Sequence, residues 1–406
     1  MSTLLELPVR PATTQLAEKS VSGKGGRPVR MLVVTDTDIV LQGGSERFLT
    51  HLLKGLDSDR FLVDVVQLDR GDSSCGMQSI PISRPNIRLE YRPVRAIYGR
   101  ATWKVWRELR DRVRHGDYDL IQSQHEKSDI LCAFLPAGPL RISNRRDTGF
   151  QKGRLLRLLF LLLNHRFDLV IAPAQAILTQ LVEHAGVDPA KTRRLPNGVD
   201  CQRFLPLSGD ERIARRHKHA LPPEQYLFGC AARMVPVKRH RDLIDAFARV
   251  ARRHPQAGLV LIGRGPLETD LRDQVARQDL TDRVIFHGEE EDMAGLLPLL
   301  DAFVLASSSE GLSNAILEAM ACGLPTIATA VGGNTEVVAA NSTGFLVPTH
   351  APDQIAVAME QLLGRPALGR RMGRHARQRA VEHFSLQAMI AGYSSFYRSL
   401  GLEISR

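Results

Sequence analysis

Cysteine is scarce in this chain. The five residues in 406, Cys75, Cys132, Cys201, Cys230 and Cys322, are scattered, odd in number and never arranged as C-x-x-C. That spacing supports neither a disulfide framework nor a thiolate zinc site, and it fits a reducing cytoplasm. Long apolar runs are also missing. The leucine-rich stretch LLRLLFLLL at 155–163 is broken by Arg157 and stops at Asn164, short of the roughly 20 residues a bilayer span needs. Residues 1–28 hold Ser, Thr, Gly and Pro without an apolar h-region, so they are expected to be a flexible extension and not a secretory signal. An acidic surplus is absent as well: the formal net charge is +10.

That positive charge is uneven. Residues 1–200 hold 30 Lys and Arg against 22 Asp and Glu, whereas residues 201–406 hold 24 against 22. The field belongs mainly to the first half and suits an anionic membrane surface, a phosphate-bearing substrate or nucleic acid. Nucleic-acid binding rests on charge alone, since no helix-turn-helix, RNA-recognition or zinc pattern is present.

With 43% apolar and 24% charged residues the chain has a soluble globular composition, and its length predicts two domains. From Val29 the sequence alternates apolar runs of strand length with amphipathic stretches: VRMLVVTDTDIV, RFLVDVVQLD, YDLIQSQ, LRISNRR and FDLVIAPA. After the turn formers Pro196, Asn197 and Gly198 the pattern restarts, with YLFGCAARM, GLVLIGRG, RVIFHGE, DAFVLASSS, PTIATA and GFLVP. Strands alternating with helices predict an α/β fold of two Rossmann-like, doubly wound parallel-sheet domains. The expected divisions are an extension at 1–28, a first domain at 29–198, a second at 199–384 and a closing helix at 385–406 that crosses back to the first.

In open parallel sheets ligands bind beyond the carboxyl ends of the strands, and suggestive clusters lie there. TDTDIVLQGGSE supplies Gly43 and Gly44 before a helix, with Ser45 as its N-cap. AARMVPVKRH supplies Arg233 and Lys238, LIGRGP supplies Gly263 and Gly265, and SSSEGLSN supplies Glu310 ahead of an apolar helix that holds Glu318. Singly, each has an ordinary reading: a glycine turn, two solvated cations, a carboxylate paired with a nearby arginine. Converging on one sheet edge, cations, a helix N-terminus and two carboxylates suit a ligand with a diphosphate and vicinal hydroxyls, such as a nucleotide sugar.

The E-x7-E spacing of Glu310 and Glu318, continued by EAMACGLPTIATAVGGNTEVV and accompanied by ARMVPVK, IGRGP and PNGVD, resembles the family 4 retaining glycosyltransferases of the GT-B fold. The resemblance spans nearly everything after residue 29 and is strongest between about 228 and 350. It implies that Arg233 and Lys238 bind the donor diphosphate and stabilise the leaving group. Glu310, with the backbone amides of Leu312, Ser313 and Asn314, would hold sugar hydroxyls, and Glu318 the donor ribose. His125, after the strand LIQSQ, would sit near the transferred sugar, unless it is a structural histidine. Gly43 and Gly44 would approach the phosphates from the opposing domain, Gly263 would line the nucleotide pocket, and the backbone from His287 to Glu289 would read the base. A weaker expectation gives Arg145 and Arg146 an acceptor-phosphate role.

The implied reaction is metal-independent transfer with retention, without a cofactor, from a UDP-sugar in preference to a GDP-sugar, to a glycan or lipid-linked acceptor in surface polysaccharide synthesis. Asp36 and Asp38 of the DTD triplet are taken as loop residues. A nucleotide-sugar epimerase or hydrolase on a similar fold is the alternative. Trp103, Trp106, Leu109 and Val113 recur at helical spacing in a segment where residues 84–114 hold ten Lys or Arg against three acids. With KGRLLRLLFLLLNHR, it is expected either to pack on the first sheet or to touch the cytoplasmic face of an anionic membrane.

Overall fold

The computed structural model describes residues 27–37, 44–68, 84–94, 96, 99–146 and 154–400. Most of the expected extension, together with Asp38 and Gly43, lies outside these residues. Seven parallel strands form the first sheet: β1 (Val29–Thr35), β2 (Phe61–Gln67), β3 (Ile87–Tyr91), β4 (Leu120–Gln124), β5 (Leu140–Asn144), β6 (Leu169–Ala172) and β7 (Thr192–Arg194). Six more form the second: β8 (Tyr226–Ala231), β9 (Ala257–Ile262), β10 (Val284–Gly288), β11 (Ala302–Leu305), β12 (Thr326–Thr329) and β13 (Gly344–Val347). Their orders, β3-β2-β1-β4-β5-β6-β7 and β10-β9-β8-β11-β12-β13, share one plan, with the first strand central and the order reversing beside it. Each reversal opens a crevice at the carboxyl edge, where doubly wound sheets bind ligands.

The central strands are apolar on both faces because helices cover both. Met31 through Val34 and Leu259 through Leu261 are buried. On one face of the first sheet lie the helix Gly44–Gly55 and the closing helix Leu386–Ser399, whose Met389, Tyr393, Phe396 and Tyr397 join a core with Phe48, Leu52, Phe61 and Val65. Tyr397 donates to Gln122 on β4 at 2.8 Å. The helix Leu386–Ser399 is therefore built into the first sheet's core after the second sheet is complete. A bridge between Val199 and Ser385 joins the two places where the chain passes between the sheets.

The helix Arg100–His115 buries Thr102, Val105, Leu109 and Val113. Of the expected stripe, Leu109 and Val113 are buried and Trp106 packs half-buried against the core, whereas Trp103 falls off that face. Trp103 is 57% exposed, with the Arg107 guanidinium 4.5 Å above its ring. In the helix Arg154–Leu163, Phe160 and Leu163 pack inward while Leu158, Leu161 and Leu162 face outward. No helix among the described residues is long and apolar enough to cross a membrane.

Candidate active site

After β8 the chain makes a tight turn, Pro236–Lys238, and Arg239 enters the next helix with φ 53°. The Ser308 amide donates to the Val237 carbonyl at 2.8 Å, fastening this turn to the loop after β11. That clasp brings Lys238 Nζ 2.6 Å from Glu310 Oε1, and the Ser307 hydroxyl donates to the same oxygen at 2.6 Å. The Glu310 side chain is 9% exposed against 25% for Lys238. A cation and a carboxylate thus neutralise each other at the sheet edge. Arg233 is exposed and forms no ion pair among the described residues. Gly263 adopts φ +119°, and a Cβ there would stand 2.5 Å from the Ala232 carbonyl oxygen. Only glycine gives this turn both its conformation and its space.

The helix Asn314–Ala321 begins at Ser313, whose hydroxyl accepts from the Ile316 amide. Leu312 and Ser313 are buried, and Asn314 half-buried, around that N-terminus. Glu318 lies one turn further on, buried between Leu317 and Ala319. Its carboxylate has a protein partner from the opposite domain: Arg47 Nη1, on the helix Gly44–Gly55, is 2.7 Å from Oε1. Burial raises the Glu318 pKa above the usual carboxylate value, and Arg47 is the foremost group opposing that rise. Arg47, His51, Asn197, Asp200, Arg203 and Glu318 line a small cleft of about 70 Å³ between the domains.

Beside that cleft the domains touch through polar side chains. Asn314 Nδ2 is 3.4 Å from the Gly44 carbonyl, and a Cβ on Gly44 would come within 2.9 Å of that nitrogen. The helix runs from Gly44, so Ser45 falls inside it and not at its cap. Asn197 donates to Asn314 Oδ1 at 2.9 Å and accepts from Arg146. His125 follows β4 with φ 73° and ψ −175°, a combination that is essentially glycine's alone. Such strain costs about 1–3 kcal/mol, persists only where surroundings impose it, and concentrates at functional sites.

Arg145 and Arg146 face inward, at 4% and 9% exposure. Arg145 pairs with Asp129 at 2.8 Å and lies over Phe160. Arg146 lies 3.7 Å over the Phe48 ring, and burial draws its pKa down to about 10. Both arginines given an acceptor-phosphate role in the sequence are thus buried against aromatic rings. The aromatic rings that cover them come from distant helices.

Asp36 accepts from the Lys127 and Ser128 amides, both at 2.6 Å. It caps the helix Glu126–Ala133, and burial pushes its pKa up to about 7. Among the described residues, His219, His287 and Glu290 form the one group of His, Cys, Asp or Glu close enough to share a metal ion, their ligand atoms lying within 4.8 Å. Nothing in the local pattern marks Arg47 as a partner of Glu318: the pair is separated by 271 positions. It also hid Asn197, whose turn-forming neighbours explained its presence.

The family models for glycosyl transferases group 1 and for Glycosyltransferase Family 4 match residues 211–379 and 42–203 respectively. The chain belongs to the family 4 glycosyltransferases with the GT-B fold. The N-acetyl-alpha-D-glucosaminyl L-malate synthase of Bacillus anthracis is 36% identical over 161 residues, 40% of this chain and 42% of that one. A GDP-mannose-dependent monoacylated alpha-(1-6)-phosphatidylinositol monomannoside mannosyltransferase from Corynebacterium glutamicum is 32% identical over 204 residues, 48% of this chain and 53% of that one. The chain spans about half the length of these curated relatives. HepE from Anabaena, solved in complex with UDP, has the same architecture at a TM-score of 0.78 and 22% identity, covering 91% of this chain and 100% of that one.

Proposed function

We propose that this protein transfers a sugar, with retention of anomeric configuration, from a nucleotide-sugar donor to a glycan or lipid-linked acceptor in surface polysaccharide synthesis. The observation that supports this most is the clasped Lys238–Glu310 pair at 2.6 Å, set beside the N-terminus of Asn314–Ala321 with Glu318 one turn away. Lys238, Arg233 and the helix amides take the diphosphate, whose growing charge on departure they stabilise. Glu310 accepts hydrogen bonds from sugar hydroxyls and Glu318 from the ribose. The acceptor attacks from the face the diphosphate leaves, and the departing phosphate oxygen takes its proton. The enzyme contributes position and electrostatics without a covalent carboxylate intermediate, and no step of this scheme calls on a metal ion.

A UDP-sugar is the favoured donor, in keeping with the UDP bound by HepE; the GDP-mannose dependence of the Corynebacterium relative keeps a GDP-sugar in view. Outward-facing Leu158, Leu161, Leu162 and Trp103, among basic residues, suit a peripheral contact with an anionic cytoplasmic leaflet, where a lipid-linked acceptor would lie. A panel of UDP- and GDP-sugars with lipid-linked monosaccharide acceptors tests the proposal. One donor giving an α-linked product, read from anomeric NMR couplings, is expected. A β-linked product contradicts retention, and nucleotide release indifferent to acceptor favours a hydrolase.

A further inference from the structure

The Arg47–Glu318 pair is one point where the two domains meet inside the proposed donor site. Glu318 belongs to the second domain and is buried; Arg47 reaches it from the first, 2.7 Å away. Among the described residues, the buried polar atoms without a hydrogen-bond partner include Arg47 Nε but neither oxygen of Glu318. Arg47 holds Oε1, so Oε2 remains the atom for a second contact on the cleft side.

Resting on the donor-site reading above, we infer that Arg47 is a positioning residue: it keeps the Glu318 carboxylate ionised and turned so that its other oxygen accepts from the donor ribose. The first domain thereby completes the second domain's nucleotide site, and ribose recognition exists only while the domains are together. An isolated buried carboxylate takes up a proton near neutrality and becomes a donor, which competes poorly for two vicinal hydroxyls. Arg47 prevents that.

The groups facing Glu318 are few. Arg47 and His51 come from the helix Gly44–Gly55, and Asp200 and Arg203 from the stretch between the domains. Cys322 ends the helix that carries Glu318, with Arg377 beyond it. Burial lowers the His51 pKa below the usual histidine value and raises that of Cys322. Neither supplies positive charge at neutral pH, and Arg203 is shared with Asp292 at 3.4 Å. Arg203 also opposes the rise in the Glu318 pKa, but Arg47 opposes it most and is the cation in direct contact.

The test is calorimetric titration of UDP, GDP and their 2′,3′-dideoxy analogues from pH 5.5 to 8.5 into wild type, Arg47→Lys and Arg47→Met. Methionine keeps an aliphatic stem, and melting curves report whether each variant is folded. Wild type is expected to prefer the intact ribose about tenfold or more across the range. Arg47→Met is expected to lose that preference below neutral pH and regain it as pH rises, with Arg47→Lys close to wild type. A ribose-selective wild type with an equally selective, pH-independent Arg47→Met overturns the inference alone. A wild type indifferent to the ribose hydroxyls overturns the reading of Glu318 and the inference with it.

Discussion

Replacing Lys238 by methionine removes a charge while keeping most of the stem, so its effect separates electrostatics from packing. Two consequences follow from the geometry. Glu310 would retain the Ser307 hydroxyl at 2.6 Å but lose its cation. Breaking a fully buried pair from one side costs about 3–5 kcal/mol; Lys238 is 25% exposed, so solvent screening reduces this to about 1–2 kcal/mol. The larger loss is in rate, because one preorganised group aimed at developing leaving-group charge is worth roughly 10²–10³ in turnover. Lys238→Met is thus expected to melt only a few degrees lower yet transfer sugar about a hundredfold or more slowly. Glu310→Gln in the same background should restore much of the stability and none of the rate, since the unpaired carboxylate is then gone. Calorimetric melting beside steady-state transfer measures both. A variant within tenfold of wild-type turnover refutes the assignment of Lys238 to the diphosphate. Stability that falls further in the double variant refutes the argument from the unpaired carboxylate.

Other expectations concern strain and titration. His125→Gly should relieve a φ of 73° and raise stability by about 1–2 kcal/mol while lowering activity; melting and turnover moving together in one direction would contradict this. Gly263→Ala, with its Cβ 2.5 Å from a carbonyl oxygen, should lose at least about 1–2 kcal/mol, and unchanged melting would show the turn can yield. His240 is buried and its pKa lowered to about 4 by desolvation, so the unfolded chain binds the proton first. Its contribution is present above about pH 6.5 and lost as pH falls through 4, amounting to about 3 kcal/mol in a slope that His240→Gln should flatten in urea titrations.

All six strands of the second sheet were visible in the sequence as short apolar runs, because the four inner ones are covered on both faces and need no alternation. The strands β3 and β7 were not. One carries Arg88 and Glu90 on a half-exposed edge, and the other is only Thr192–Arg194; neither is apolar enough to stand out from a loop. Glycines and charged residues at strand ends marked the carboxyl edge, since doubly wound topology fixes where such ends converge. What converges there from the other domain is a matter of long-range packing. Arg47 and Arg146 look alike in a sequence, yet one reaches a carboxylate on the second domain and the other is sealed beneath Phe48.

The nucleotide sugar is proposed to sit between the domains on Lys238, Arg233, Glu310 and Glu318. A crystal structure of the protein with UDP or GDP at saturating concentration tests it most directly. The diphosphate is expected against Lys238, Arg233 and the N-terminus of Asn314–Ala321, with the ribose hydroxyls on Glu318. A nucleotide bound elsewhere, or a cleft empty at saturation, would contradict it.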